Sequence, residues 1–447
     1  MPEIPVGAQI FDVVFHPTFS TVYTGLLTGH VKAFAYDEQG NHQPTFSVRP
    51  SKSSCRGLSL DGDGSHLYAV GKGKALYTID TQTEDIDSRA GAHDATINRV
   101  KHLMSWLLAT GDDDGTVKLW DPRQRDCVRT YTQHFDYISD FLWLDDKRQL
   151  VSTSGDGTLS VMDVRSKKSE SVAQSEDQED ELLSIVAIKG GAKIVVGTQI
   201  GILSIFNRSS GWGDCVDRVP GHPMSVDALC NLPPDIPNVD AASTILTGSS
   251  DGYVRAVQIL PTKLIGVVAD HGEWPIERIS IGGGHGQLSI ERAETSADKV
   301  YSSKIGNQTD ENHQDAEYQR RWWVGSVGHE DVLRMSDLEG FFRDNEGGEA
   351  AAKGALGVDV SGGEDSDIDD DDEQEDVSQE LPNPSTDGAA AAEGESDSGD
   401  GSGQDSDEEE PQPATHKRKA GKGLPLNAVK KKGRNTVAVE RSFFDEL

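Results

Sequence analysis

Between residues 1 and 343, short runs of alternating apolar and polar residues are separated by turns rich in Gly, Asp, Asn and Ser. That is the period-two signature of half-buried strands, not the 3.6-residue period of helices. One unit is clearest at 107–121, LLATGDDDGTVKLWD, which reads as an apolar strand, a tight turn over Asp114-Gly115 and a second alternating strand ending on Trp120-Asp121. The Asp-Gly pair predicts a hairpin, because such a turn needs positive φ and glycine adopts it without a Cβ clash. The unit recurs at intervals of roughly 35–45 residues. It returns as LVSTSGDGTLSVMD from Leu150 and ILTGSSDGYVRAVQ from Ile245, and in weaker form from Val22, Leu67, Ile194 and Trp322. Each of the seven copies follows an apolar stretch fit for one further strand, at 11–15, 55–60, 97–102, 138–142, 182–188, 226–230 and 276–281.

A small sheet of this kind buries its faces only against neighbours like itself, and closing the stack into a ring limits exposed strand edges. The pattern therefore predicts an all-β fold, a seven-bladed β-propeller over 1–343. The outermost strand of the last blade is expected from 2–8 or from 338–343. The polar stretch 283–319, between two strands of the seventh copy, reads as a surface excursion.

The letters of the third, fourth and sixth copies resemble the WD-repeat β-propeller family. In that family a His, a Ser or Thr, the turn Asp and the strand-end Trp form a hydrogen-bonded set that ties each blade together. The resemblance assigns these roles to His93, Thr110, Asp114 and Trp120 in the third copy. In the fourth it assigns them to His134, Ser152 and Asp156, with Met162 in place of Trp, and in the sixth to His222, Thr247 and Asp251, with Val257 there. Copies one, two, five and seven lack the turn Asp. His, Ser and Asp are also the parts of a hydrolytic triad, but repetition at blade-fixed spacing assigns them to structural hydrogen bonding, and no enzyme is expected.

Composition changes sharply after residue 343. The segment 344–415 holds about 25 acidic residues against the single Lys353, and so supplies most of the net charge of −34. Carboxylates so close together oppose compaction, and no apolar burial offsets their repulsion, so a disordered acidic tail is expected. Ser361, Ser366 and Ser406 each have an acidic residue three positions on, the pattern that acidophilic kinases favour. The sign reverses in 416–447, where Lys417-Arg418-Lys419 and Lys430-Lys431-Lys432 with Arg434 make a split basic cluster suited to nuclear or nucleolar import or to contacts with RNA phosphates.

Other features add little chemistry. Cys55, Cys127, Cys215 and Cys230 are scattered without a close pair, which argues against a disulfide framework and a zinc site. The glycine cluster 282–286 and the run Gly71-Lys72-Gly73-Lys74 lack the strand-to-helix context of phosphate loops, so no cofactor is expected. Trp322-Trp323 after Arg320-Arg321 suits a base-stacking platform, yet a strand onset there puts one Trp in the core. No run of about 18 apolar residues occurs, so no membrane span is expected. The boxes Trp120-Asp121-Pro122-Arg123 and Met162-Asp163-Val164-Arg165 resemble the paired WD-x-R boxes of substrate receptors for cullin-type ubiquitin ligases, with Arg123 and Arg165 offering bidentate contacts to an adaptor. A blade-edge salt bridge is the plainer account of both arginines.

Taken over its whole length, with degenerate repeats, a late acidic stretch, a Lys/Arg cluster and the ending Ser442–Leu447, the chain resembles the nucleolar WD repeat-containing protein 55 family and its fungal ribosome-biogenesis relatives. The resemblance implies a nuclear, nucleolar scaffold in ribosomal RNA processing and large ribosomal subunit biogenesis. It would act as a monomer within larger assemblies, holding proteins of pre-ribosomal particles and touching RNA through the basic tail. Two rivals are a ubiquitin-ligase substrate receptor and a chaperone of histones or other basic proteins through the acidic tail; the last predicts salt-sensitive histone capture.

Overall fold

In each repeat the second strand is apolar on both faces, as in Leu107–Asp112, where every residue is buried. Such a strand is stable only with a partner on each edge and a layer on each side. In this computed structural model, which describes residues 1–283 and 322–344, it receives both. Seven four-stranded antiparallel sheets form, each ordered a-b-c-d from the axis outwards. The innermost strands are Ile10–Phe15, Cys55–Leu60, Ile97–Met104, Ile138–Leu144, Leu182–Ile188, Val226–Asn231 and Ile276–Gly282. The fold is an all-β seven-bladed propeller. The rest of the excursion, the acidic and basic segments, and Ser361, Ser366 and Ser406 lie outside the described residues.

The core is divided by blade junction. Seven apolar clusters each draw on two successive blades; Tyr68, Val70 and Leu76 of the second blade, for example, pack on Ile97, Val100, Leu108 and Trp120 of the third. The seventh junction is Leu333, Met335 and Trp323 against Val13, Val22 and Phe34. No blade has a core of its own, so the blades share one fate. Trp323 is therefore core, and Trp322 is half-buried beside Leu338 and Phe342.

Closure uses the first of the two candidate segments. Glu3–Pro5 pairs with Val332–Asp337, Glu3 opposite Arg334 and Pro5 opposite Val332, as the outermost strand of the last blade. The alternative, 338–343, forms the helix Leu338–Asp344, whose Leu338 and Phe342 are buried against blades six and seven. The apolar spacing explains the difference: Leu338, Phe341 and Phe342 fall three and four residues apart, on one side of a helix.

Side chains on the inner strands staple blade to blade. Asp12 Oδ2 accepts the Leu58 N–H at 2.7 Å, Arg56 Nη1 donates to Asn98 Oδ1 at 2.9 Å, and Ser184 Oγ donates to the Val226 carbonyl at 2.8 Å. Arg99 reaches the Ser139 carbonyl and Arg278 the Asp227 carbonyl. Glycines in the second strands let these neighbours approach: a Cβ on Gly111 would lie 2.5 Å from Ile138 Cγ2, and one on Gly248 2.5 Å from Ile276 Cγ2.

Candidate functional site: the loop face of the propeller

Because the strands alternate in direction, the b–c turns and the d–a connections emerge at one end of every blade, the upper face, and the a–b and c–d connections at the other. The histidines stand in the d–a connections. In the third blade His93 Nε2 lies 2.6 Å from Thr110 Oγ1, Trp120 Nε1 donates to the same oxygen at 2.8 Å, and His93 Nδ1 lies 2.7 Å from Asp112 Oδ2. A carboxylate only accepts, so Asp112 fixes the proton on Nδ1 and Nε2 takes the hydroxyl proton of Thr110. Asp112 Oδ1 also receives the N–H groups of Asp114 and Thr116 at 3.2 and 2.7 Å, which locks the turn. His93 and Thr110 are buried, so the trio holds loops and is closed to substrate.

The partner of His93 is thus Asp112, and the assignment of Asp114 is corrected. Asp112 still belongs to the strand and its carboxylate turns inward, whereas Asp114 sits on the exposed tip of the turn. In the fourth blade His134 Nδ1 lies 3.0 Å from Asp156 Oδ2, and its Nε2 lies 3.1 Å from Ser152 and 2.8 Å from Ser160. Burial alone would raise the Asp156 pKa; the bonds from His134, Thr158 and the Phe135 N–H outweigh it and hold the carboxyl well below its ordinary range.

In the sixth blade His222 Nε2 is 2.9 Å from Thr247 Oγ1, but Asp251 is engaged elsewhere. Both its oxygens accept from Arg255, at 3.0 and 2.6 Å. Arg255 stands opposite Thr247, where Ser160 stands opposite Ser152 in the fourth blade, and a buried guanidinium claims the nearest carboxylate. The role assigned to Asp251 is corrected accordingly. Desolvation, aided by the charge of Arg255, pushes the His222 pKa down to about 4.

One set escaped the sequence reading. In the seventh blade His271 Nε2 lies 2.8 Å from Ser326 Oγ and Nδ1 lies 2.9 Å from Glu330, which also pairs with Arg334 at 3.1 Å. The signal was a His five residues before the inner strand, against four in blades three, four and six, with Glu in place of Asp.

The upper-face loops that lack a His set segregate charge. Connections of the first two blades carry Arg49, Lys52, Lys72 and Lys74, with Gly71–Lys74 forming a simple b–c turn, while the connection into the fifth blade carries Asp177, Glu179, Asp180 and Glu181. On the lower face Arg123 clasps Asp121 through Nε and Nη2 at 2.9 and 2.7 Å, and Arg165 clasps Asp163 at the same two distances. The Arg123 hydrogen bonds hold the Asp121 carboxyl down to about 2, and both guanidinium groups stay largely exposed. All four cysteines are free thiols.

A seven-bladed ring with His-anchored loops agrees with a sequence match to the WDR55 family over residues 1–299. The chain belongs to the WDR55 family. It is 63% identical over 459 residues to the WD repeat-containing protein JIP5 of Laccaria bicolor, covering 100% of both chains. It is 37% identical over 284 residues to the WD repeat-containing protein 55 of Arabidopsis thaliana, covering 62% of this chain and 76% of that one. With the WD repeat-containing protein 55 of Bos taurus it shares 33% identity over 281 residues, 62% of this chain and 71% of the relative. WDR55 proteins of this kind are WD-repeat interaction scaffolds.

Proposed function

We propose that this WDR55-family chain is a non-enzymatic nucleolar scaffold that supports ribosomal RNA processing and large ribosomal subunit assembly. The propeller holds proteins of pre-ribosomal particles, and the basic cluster Lys417–Arg434 contacts RNA phosphates and directs the chain to the nucleus and nucleolus. The observation that carries the reading is the upper face. In blades three, four, six and seven its loops are fixed from beneath by buried His93, His134, His222 and His271, and the connections between them segregate charge, so it offers a platform that loses little ordering entropy on binding. Affinity purification from nuclear extract, with the full chain and with residues 1–343, tests it. The full chain should recover pre-ribosomal proteins with RNA and the shorter one the proteins with less RNA; recovery of neither refutes the proposal. A fluorescent fusion should leave the nucleolus when Lys430, Lys431, Lys432 and Arg434 are replaced by Ala.

A second reading has its own support, the identical Arg–Asp clasps presented on the same face of adjacent blades. As adaptor contacts for a cullin-type ubiquitin ligase, Arg123→Ala with Arg165→Ala should abolish adaptor binding while the fold persists. Unchanged binding removes this reading.

A further inference from the structure

We infer that the upper-face cleft between blades four and five is a docking site for a basic partner segment, in which an arginine or lysine side chain is flanked by large apolar ones. The inference rests on the scaffold reading and names the chemistry of one of its partners. The cleft, about 360 Å³, is lined by Gly155, Asp156, Gly157, Asp177 and Glu179–Glu181. Every charged group in that lining is a carboxylate. Among the described residues Asp177, Glu179, Asp180 and Glu181 have no ion-pair partner; three of them accept from neutral donors instead, Asp177 from the Glu179 N–H at 2.8 Å, Asp180 from the Ile200 N–H and Glu181 from the Tyr137 hydroxyl at 2.8 Å. Nearby Arg218 turns to Gln178 Oε1 rather than to any of them. Gly157 in the lining, at φ +78°, carries no side chain, and a Cβ there would lie 2.4 Å from Asp177 Oδ1.

Two exposed apolar residues adjoin this cleft, their backbone N–H groups bound by carboxylates of its lining. Phe135 is 90% exposed, yet its N–H is bound by Asp156 Oδ2 at 2.9 Å, and Asp156 is itself anchored to His134. Ile200 is 63% exposed, and its N–H is bound by Asp180 Oδ2 at 3.2 Å. Two large apolar groups exposed to water on backbone tied to this cluster of carboxylates gain nothing for the isolated fold. They complement a ligand with a cation at its centre and apolar residues beside it. A long basic side chain suits such a cleft well, since its methylene stem packs on Phe135 while its head reaches the carboxylates. Rigid aromatic anchors of this type dominate binding energy at interfaces.

The test is fluorescence anisotropy with the full chain at about 0.15 M salt, where the Debye length of about 8 Å suppresses diffuse attraction. Two labelled peptides carry the same number of Lys and Arg residues, one interspersed with Leu and Phe, the other with Ser. The first should bind wild type, and Phe135→Ser, Ile200→Ser and Glu179→Lys should each weaken it by about tenfold or more. The Ser-containing peptide should bind weakly and equally to wild type, Phe135→Ser and Ile200→Ser, which measures attraction by charge alone, including that of the acidic segment all of them share. Equal binding of the two peptides to wild type, or unchanged binding of the first by all three variants, overturns the docking site. Circular dichroism of each variant confirms folding, which these exposed positions leave intact. Peptide binding that fails while pre-ribosomal proteins still co-purify removes only this site and leaves the scaffold reading standing.

Discussion

The ring should be most vulnerable where its two ends meet. Ile4 lies in the three-residue closing strand, is 1% exposed, and packs in a cluster with Leu333, Met335 and Trp323 on one side and Val13 and Phe34 on the other. Ile4→Ala leaves both backbone ladders intact but opens a cavity at the junction of blades seven and one, for which buried Ile→Ala changes cost about 2–5 kcal/mol. Val128→Ala supplies the control: it also lies on an outermost strand, Cys127–Tyr131, but is 46% exposed, and its cost should stay below about 0.5 kcal/mol. Urea unfolding followed by tryptophan fluorescence reads both. With a slope of about 3 kcal/mol per molar urea, Ile4→Ala should lower the midpoint by about 1 M with the slope unchanged. A loss below about 0.5 kcal/mol, or an early transition confined to part of the signal, would refute the argument that shared junctions make the blades unfold together.

Two further outcomes follow from the buried polar groups. Thr110→Val keeps shape but leaves His93 Nε2 and Trp120 Nε1 without their shared oxygen, at about 1–3 kcal/mol for each orphaned group; a total below about 1 kcal/mol in the same urea assay would count against the bonding scheme. The pH dependence separates two groups of opposite sign. His222 falls from 6.5 to about 4 on folding, chiefly by desolvation, so the native state binds fewer protons than the unfolded chain across that window and stability from this group rises with pH. Asp12 is raised by burial from 3.8 to about 6, so its contribution falls with pH over nearly the same range. His222→Asn should therefore make the slope of urea midpoint against pH between 4 and 6.5 less positive, and Asp12→Asn more positive, than in wild type, and slopes unchanged from wild type would show the assignments to be wrong.

The blades were legible because strand period and Asp-Gly turns are local signals: each of the seven apolar stretches coincides with an inner strand to within two residues. The sealing of the ring was less legible: 2–8 alternates as a strand does, with Ile4, Val6 and Ala8 apolar, whereas Leu338, Phe341 and Phe342 carry the spacing of a single helical turn, too short a signal to stand out beside the strand pattern. At the polar sets, residue type was readable and partner choice was not. Asp112 and Asp114 differ by two positions in one acidic run, and their difference in burial decides which one meets His93. Asp251 was lost to Arg255, a competitor across the hairpin that a four-letter pattern does not contain. The acidic cleft was invisible for a related reason, because it joins the connection 175–181 to the turn 155–158 and borrows Phe135 and Ile200 from two others.

Sealing the ring with the first strand has a consequence for biosynthesis. Glu3, Ile4 and Pro5 leave the ribosome at once, but Arg334, Leu333 and Val332 follow some 330 residues later, roughly 15–70 s at ordinary elongation rates. Throughout that interval Ile4 and Val6 have nothing to cover them, and one flank of the opening blade is bare. The growing polypeptide is then a client for chaperones and prone to sticking to its own kind, and its protection ends only when the last hairpin emerges to meet the first residues made.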